Sequence, residues 1–123
     1  MKIISTEKAP AAIGPYCQAV TAGGFLFTSG QIPIDPASNA VCGDTIEAQA
    51  RQVMLNLRAV LEEAGTDFAK VVKTTCFLSD MANFAKFNEV YAEFFVNKPA
   101  RSCVAVKELP KGVLCEVEVI AEI

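Results

Sequence analysis

Apolar residues recur at Ile46, Ala50, Val53, Met54, Leu57, Val60, Leu61 and Ala64, steps of three and four that place all eight on one face of a long helix. Asp44, with Glu47 three residues on, predicts its N-cap, and Gly65 predicts its stop. A second stripe, Phe84, Phe87, Val90, Tyr91, Phe94 and Phe95, predicts another helix, capped by Ser79 or Asp80 and ended before Pro99. Between the two, Val71 to Leu78 is too short and too β-branched for a helix and reads as a central strand. Gln18 to Ser29 holds two extended runs around Gly23-Gly24, the composition of a tight hairpin. Arg101 to Val106 and Val113 to Ile123 read as two further strands joined through Leu109-Pro110-Lys111-Gly112.

The predicted order is therefore β-β-α-β-α-β-β, an α+β fold with two helices on one face of a sheet. The last strand describes the other face. Val113, Cys115, Val117, Val119, Ala121 and Ile123 alternate to one side, expected beneath the helices, while Leu114, Glu116, Glu118, Ile120 and Glu122 fall on the other. A face that mixes carboxylates with apolar side chains is either solvated or covered by another subunit, and assembly of several copies is the expectation here.

A chain of 123 residues, 52% of them hydrophobic, is expected to form a single domain (1–123) around its own core, without metal or disulfide staples. The net charge of −3 argues against a nucleic-acid groove. No histidine is present, which excludes Ser-His-Asp and Cys-His mechanisms and the imidazole ligands of most catalytic zinc sites. The five cysteines are widely spaced, contain no C-x-x-C pair and read as free thiols. Together with Met1 to Gly14, which holds no apolar run long enough for a signal peptide or membrane span, they lead to the expectation of a cytoplasmic protein.

Arg101 opens a strand in the apolar setting Pro-Ala-Arg-Ser-Cys-Val and needs an anion; a protein glutamate or a substrate acid would serve, and taken alone the structural salt bridge is the simpler reading. Glu116 and Glu118 share one strand face, where a carboxylate with a raised pKa is able to position or deprotonate a water; taken alone, solvated surface glutamates are the simpler reading. Ser29-Gly30 ends a strand with a residue that permits close backbone approach, and Gly14-Pro15 fixes Tyr16 behind a rigid turn; each alone reads as ordinary local structure. Cys103 reads as a packing residue, since nothing beyond Arg101 or a lysine is available to activate it.

Five blocks in order, Ala11-Ala-Ile-Gly-Pro-Tyr16, Thr28-Ser-Gly-Gln-Ile-Pro33, Val72-Lys-Thr-Thr-Cys-Phe77, Phe87-Asn-Glu-Val-Tyr-Ala-Glu-Phe-Phe95 and Pro99-Ala-Arg-Ser-Cys-Val104, resemble the RidA (YjgF) family along essentially the whole chain. The resemblance implies a chorismate-mutase-like α+β fold, a homotrimer with clefts between subunits, and hydrolysis of 2-iminobutanoate and 2-iminopropanoate to 2-keto acids and ammonia. It implies that Arg101 clamps the substrate carboxylate and Glu116 orients the attacking water. Tyr16, Ser29, Gly30, Asn88 and the Cys103 backbone match positions that contact the substrate, and no cofactor, metal, nucleic acid or membrane is implied. A non-catalytic small-molecule-binding protein is the alternative, with a translation-inhibiting endoribonuclease behind it. Two positions depart from the family pattern. Only Val96-Asn97-Lys98 separate Phe95 from Pro99, a short connection that bears on the cleft rim and on substrate preference, and Cys115 stands where an aliphatic residue is usual.

Overall fold

The computed structural model describes all 123 residues. Six strands form one sheet in the order β1-β2-β3-β8-β6-β7, with β1 at Lys2–Ile4, β2 at Ala19–Ala22, β3 at Phe25–Thr28, β6 at Val71–Leu78, β7 at Ala100–Ala105 and β8 at Cys115–Glu122. All neighbours are antiparallel except β6 and β7, which run parallel. A parallel pair needs a crossover, and α2 (Phe84–Phe94) supplies it. The longer α1 (Ile46–Glu63) packs beside α2 and over β8.

The predicted elements are present, and the structure adds three short strands that the hydrophobic pattern did not announce: β1, and the two-residue hairpin strands β4 (Ile34–Asp35) and β5 (Ala40–Val41). Segments of two or three residues carry too little alternation to read. Thr45 is the N-cap of α1 and not Asp44; its hydroxyl accepts from Ala48 N at 3.2 Å, and Asp44 is left exposed. Both residue types cap well, so composition alone did not choose between them. Asp80 caps, through Ala82 N at 2.8 Å, only a single 3-10 turn at Met81–Asn83 that leads into α2. Gly65 ends α1 as expected: at φ 78° it lets its own N–H reach Glu62 O at 3.0 Å and that of Thr66 reach Leu61 O at 3.0 Å. Gly23 and Gly24, at φ 60° and 85°, turn the hairpin.

The core lies between the helices and one sheet face. Seven of the eight α1 stripe residues are buried, Ala64 being the partial exception, and from α2 Phe87, Val90, Tyr91 and, just beyond its end, Phe95 are buried. The last strand divides as predicted, with Val113, Cys115, Val117, Val119 and Ala121 fully inside. Ile123 departs from the pattern at 48% exposure, since it lies past the end of β8. On the opposite face the register lines up Ile3, Val20, Phe27 and Ile120 in one row and Glu116, Phe77 and Val104 in another. No helix covers these rows, and Phe25, Phe27 and Val104 are each about 40% exposed or more.

Candidate active site

Arg101 stands on the helix-covered face. Its register partner on β6 is Thr74, whose hydroxyl, fully buried, shares a hydrogen bond with Tyr91 Oη at 2.8 Å. Phe84, Asn88 and Tyr91 lie along one face of α2, at helical spacings of four and three, and all three meet the arginine. Arg101 Nη1 donates to Asn88 Oδ1 at 2.7 Å, and the guanidinium carbon sits 4.7 Å from the Tyr91 ring centroid and 5.5 Å from that of Phe84. No carboxylate pairs with it; the ion pairs of the chain are Arg51–Glu93 and Lys86–Glu47. A structural salt bridge, the simpler reading of Arg101 from sequence, is absent. The arginine borders a cavity of about 510 Å³ shared with Asn88, Tyr91, Val96, Lys98 and Pro99.

Cys103 follows on the same strand face, in register with Cys76. Burial pushes its thiol up, against the opposing pull of the Arg101 charge. A thiol held protonated is a poor nucleophile. Cys76 and Cys115, deeper in the core, are pushed up by burial to about 12.

Glu116 stands on the other face of the sheet. Its register partner is Phe77, and β6 lies between β8 and β7, so the Glu116 and Arg101 side chains leave the sheet in opposite directions. Beside Glu116, the pairing from Phe27–Ile120 to Gln31–Val117 takes one more residue on the first strand than on the second, a bulge that contains Ser29 and Gly30. The Thr28 hydroxyl accepts from Val119 N at 3.0 Å where the ladder is interrupted. Gly30 is required here by proximity: a Cβ on it would lie 2.7 Å from Glu116 Cδ. The Glu116 carboxylate has no hydrogen-bond or ion-pair partner in the chain, and burial first, then the Glu118 charge, raise its pKa.

Ser29 is tied to the next loop, its hydroxyl donating to Cys17 O at 2.6 Å and its N–H to Gln18 O at 2.8 Å. Tyr16, 56% exposed, follows a Gly14 at φ 130° and shares with Gly30, Ile13 and Lys111 a cleft of about 430 Å³. One supporting residue escaped the sequence reading. Gln18, buried, accepts from Thr6 N at 2.7 Å and donates to Thr6 O at 3.0 Å and Pro10 O at 2.8 Å, which holds the segment that carries Tyr16. A single glutamine at a strand start gives no local sign of such long-range bonds.

The chain thus carries two separate groups of candidate residues. One is a cationic socket of Arg101, Asn88, Tyr91 and Cys103; the other is a carboxylate, Glu116, beside Gly30, Ser29 and the Tyr16 loop. An unpaired guanidinium and an unpaired, partly desolvated carboxylate are the parts of a site that binds a small acid and manages a proton. The sequence profile of the Endoribonuclease L-PSP family matches residues 6–123, and the chain belongs to that family, the RidA (YjgF) group. It is 51% identical over 124 residues to the 2-iminobutanoate/2-iminopropanoate deaminase of Salmonella typhimurium, covering 98% of this chain and 96% of that one. A RutC family protein of Haemophilus influenzae is 53% identical over 125 residues, covering 98% and 95%. The crystal structure of Escherichia coli TdcF with bound serine superposes with a TM-score of 0.95 at 44% identity, over 100% of this chain and 99% of that one.

Proposed function

We propose that the protein hydrolyses small 2-imino acids, such as 2-iminobutanoate and 2-iminopropanoate, to 2-keto acids and ammonia. The observation that carries this reading is Arg101, a half-buried guanidinium held by two aromatic rings and an amide with no anion of its own. The deaminase named among the relatives and the serine bound to the TdcF structure both concern molecules of this size and charge. The substrate carboxylate docks on Arg101. Water held by Glu116 attacks the imine carbon; Glu116 takes a proton from it and returns one to the departing nitrogen, so imine and water leave as keto acid and ammonia. A carboxylate whose pKa is raised by burial suits both transfers better than an ordinary surface glutamate. An imine is already electrophilic, and position and charge suffice for the rest.

Because Arg101 and Glu116 diverge within one protomer, the reading requires assembly. We infer a homotrimer in which the Arg101 socket of one protomer closes on the Glu116 and Tyr16 side of the next. The exposed apolar rows of the open sheet face support such an interface. The five unpaired thiols fit a reducing compartment, and the proposal places the protein in the cytoplasm. No helix is long and apolar enough to cross a membrane. The experiment is a threonine dehydratase reaction with and without the purified protein, read as 2-oxobutanoate and ammonia release, beside light scattering. Release above the spontaneous rate by a species of three times 13.2 kDa supports the reading. Binding of keto acids with no acceleration would leave a regulatory binder instead. The family's description favours RNA cleavage as a second reading, which net charge −3 and the absence of histidine oppose; incubation with labelled RNA tests it.

A further inference from the structure

We propose that Lys98 is a specificity residue and that the preferred substrates are imino acids with a second carboxylate on the side chain; this deepens the deaminase reading and rests on it. Among the residues that line the Arg101 cavity, Arg101 and Lys98 are the only charged ones, and neither forms an ion pair. With the 2-carboxylate of the substrate docked on Arg101, Lys98 is left as a second cation on the same cavity, the complement of a second carboxylate.

The backbone supports the same assignment. Lys98 lies at φ 53°, in the left-handed region that glycine and asparagine occupy most readily. It is held there from both sides. Its N–H donates to Phe95 O at 3.2 Å, and the side chain of Asn97 donates to Ala69 O at 2.9 Å and Val71 O at 3.2 Å. A strained position that its neighbours over-determine is typical of residues kept for a function. The short connection from Phe95 to Pro99 brings this lysine to the rim of the cavity that holds the carboxylate clamp. The reaction is unchanged in its balance: a 2-iminodicarboxylate and water give a 2-oxodicarboxylate and ammonia.

The test compares 2-iminosuccinate, generated from aspartate by an L-aspartate oxidase and read as oxaloacetate with malate dehydrogenase, against 2-iminopropanoate, read as pyruvate with lactate dehydrogenase. Wild type should show the higher kcat/KM for 2-iminosuccinate. Lys98→Met should lower that preference about tenfold, the ratio that one charge-assisted hydrogen bond supports, and Lys98→Arg should keep most of it. Equilibrium binding of 2-oxoglutarate against 2-oxobutanoate, measured by calorimetry on wild type and Lys98→Met, reads the same selectivity without catalysis. An unchanged preference in both measurements with Lys98→Met overturns the assignment, as does transfer of the effect to Lys111→Met. If wild type accelerates neither imine yet binds 2-oxoglutarate selectively through Lys98, the deaminase reading fails and the dianion site stands.

Discussion

Gly30→Ala isolates the contact between the bulge and Glu116. The substitution adds a single Cβ, which would lie 2.7 Å from Glu116 Cδ, 2.8 Å from Oε2 and 2.9 Å from Cγ. Ordinary contact begins near 3.4 Å, so the glutamate must retreat by roughly 0.7 Å or more. Gly30 does not occupy the left-handed region, and alanine therefore adds no backbone strain. The whole effect should fall on the carboxylate. Because the atoms in the way belong to a side chain able to rotate, the stability cost should be about 1 kcal/mol, the low end for an overpacked site. Activity should fall by about 10²-fold, the loss that a misplacement of order 1 Å brings. The assay is 2-iminobutanoate hydrolysis beside thermal denaturation and light scattering. Glu116→Asp withdraws the carboxylate by one methylene, so the double variant should lose less than the two single losses combined predict. Gly23→Ala serves as the control: nothing lies within 4 Å, but φ is +60°, so it should lose about 1 to 2 kcal/mol of stability and no activity. Wild-type rates in Gly30→Ala would show that the position of Glu116 does not matter to the reaction, and would refute the reasoning.

Arg101→Ala should abolish hydrolysis at the level of about 2 to 5 kcal/mol in transition-state binding, with Arg101→Lys a poor rescue because an ammonium cannot reproduce the stacked, bidentate fork; a soluble Arg101→Ala protein with normal rates would show a structural role only. Cys103→Ser should keep most activity and Glu116→Gln should lose most of it; the reverse result would make the thiol the nucleophile. The raised Glu116 pKa has two consequences. The rate should fall on acidification through that raised value; the folded state also holds this proton more tightly than the unfolded chain, so the stability it contributes is present at low pH and lost as pH rises through the raised value. Glu116→Gln should therefore melt above wild type at neutral pH while losing activity, and an unchanged melting profile would count against the desolvation of this group. Tyr91→Phe leaves the buried Thr74 hydroxyl with only the weak Cys76 Sγ donor at 4.0 Å and should cost about 1 to 3 kcal/mol by denaturant titration, with the ring still beneath Arg101 and the KM for imino acids little changed.

The elements that were legible in the sequence are those with enough length for a period to register. The α1 stripe and the alternation of the last strand each repeat a pattern at least four times, Val71 to Leu78 is marked by its β-branched run, and the structure places all three as expected. What escaped reading depends on contacts far along the chain. Asn56 donates to Ile32 O at 3.1 Å and Ile34 O at 2.9 Å, and Gln49 accepts from Leu114 N at 2.8 Å; these buried amides anchor the segments flanking the β4–β5 hairpin and β8, and interrupt the helix stripe as ordinary polar residues. The candidate site behaved in the same way. Arg101 was conspicuous because a charge in an apolar run demands a partner; Asn88 was reached only through the family resemblance, and the contacts with Tyr91 and Phe84 became visible only when α2 was folded over β7. The bulge around Gly30 is a register event between strands almost ninety residues apart, and no local signal marks it.

The setting of Arg101 also explains why so small a chain keeps an unpaired cation in a half-buried place. A carboxylate partner would neutralise the guanidinium and hold it firmly, but that carboxylate would then compete with the substrate acid for the same donors. Two aromatic faces and one amide oxygen do the holding with quadrupoles and a dipole, and leave most of the five N–H donors and the full charge for an incoming anion. Tyr91 in turn is fixed by Thr74, at the floor of the core, so the orientation of the fork is referred to the rigid part of the fold. Across the sheet Glu116 likewise makes no hydrogen bond or ion pair within the chain, and it packs against a glycine whose missing Cβ leaves room for its carboxylate. Each set of candidate residues has been built with its strongest group unsatisfied, and the sheet that separates them prevents the two groups of one chain from satisfying each other. Oppositely charged groups that a fold holds apart in this way suit the proposed substrate, which brings both a carboxylate and a proton-exchanging nitrogen, and they meet on it only in the assembly proposed above.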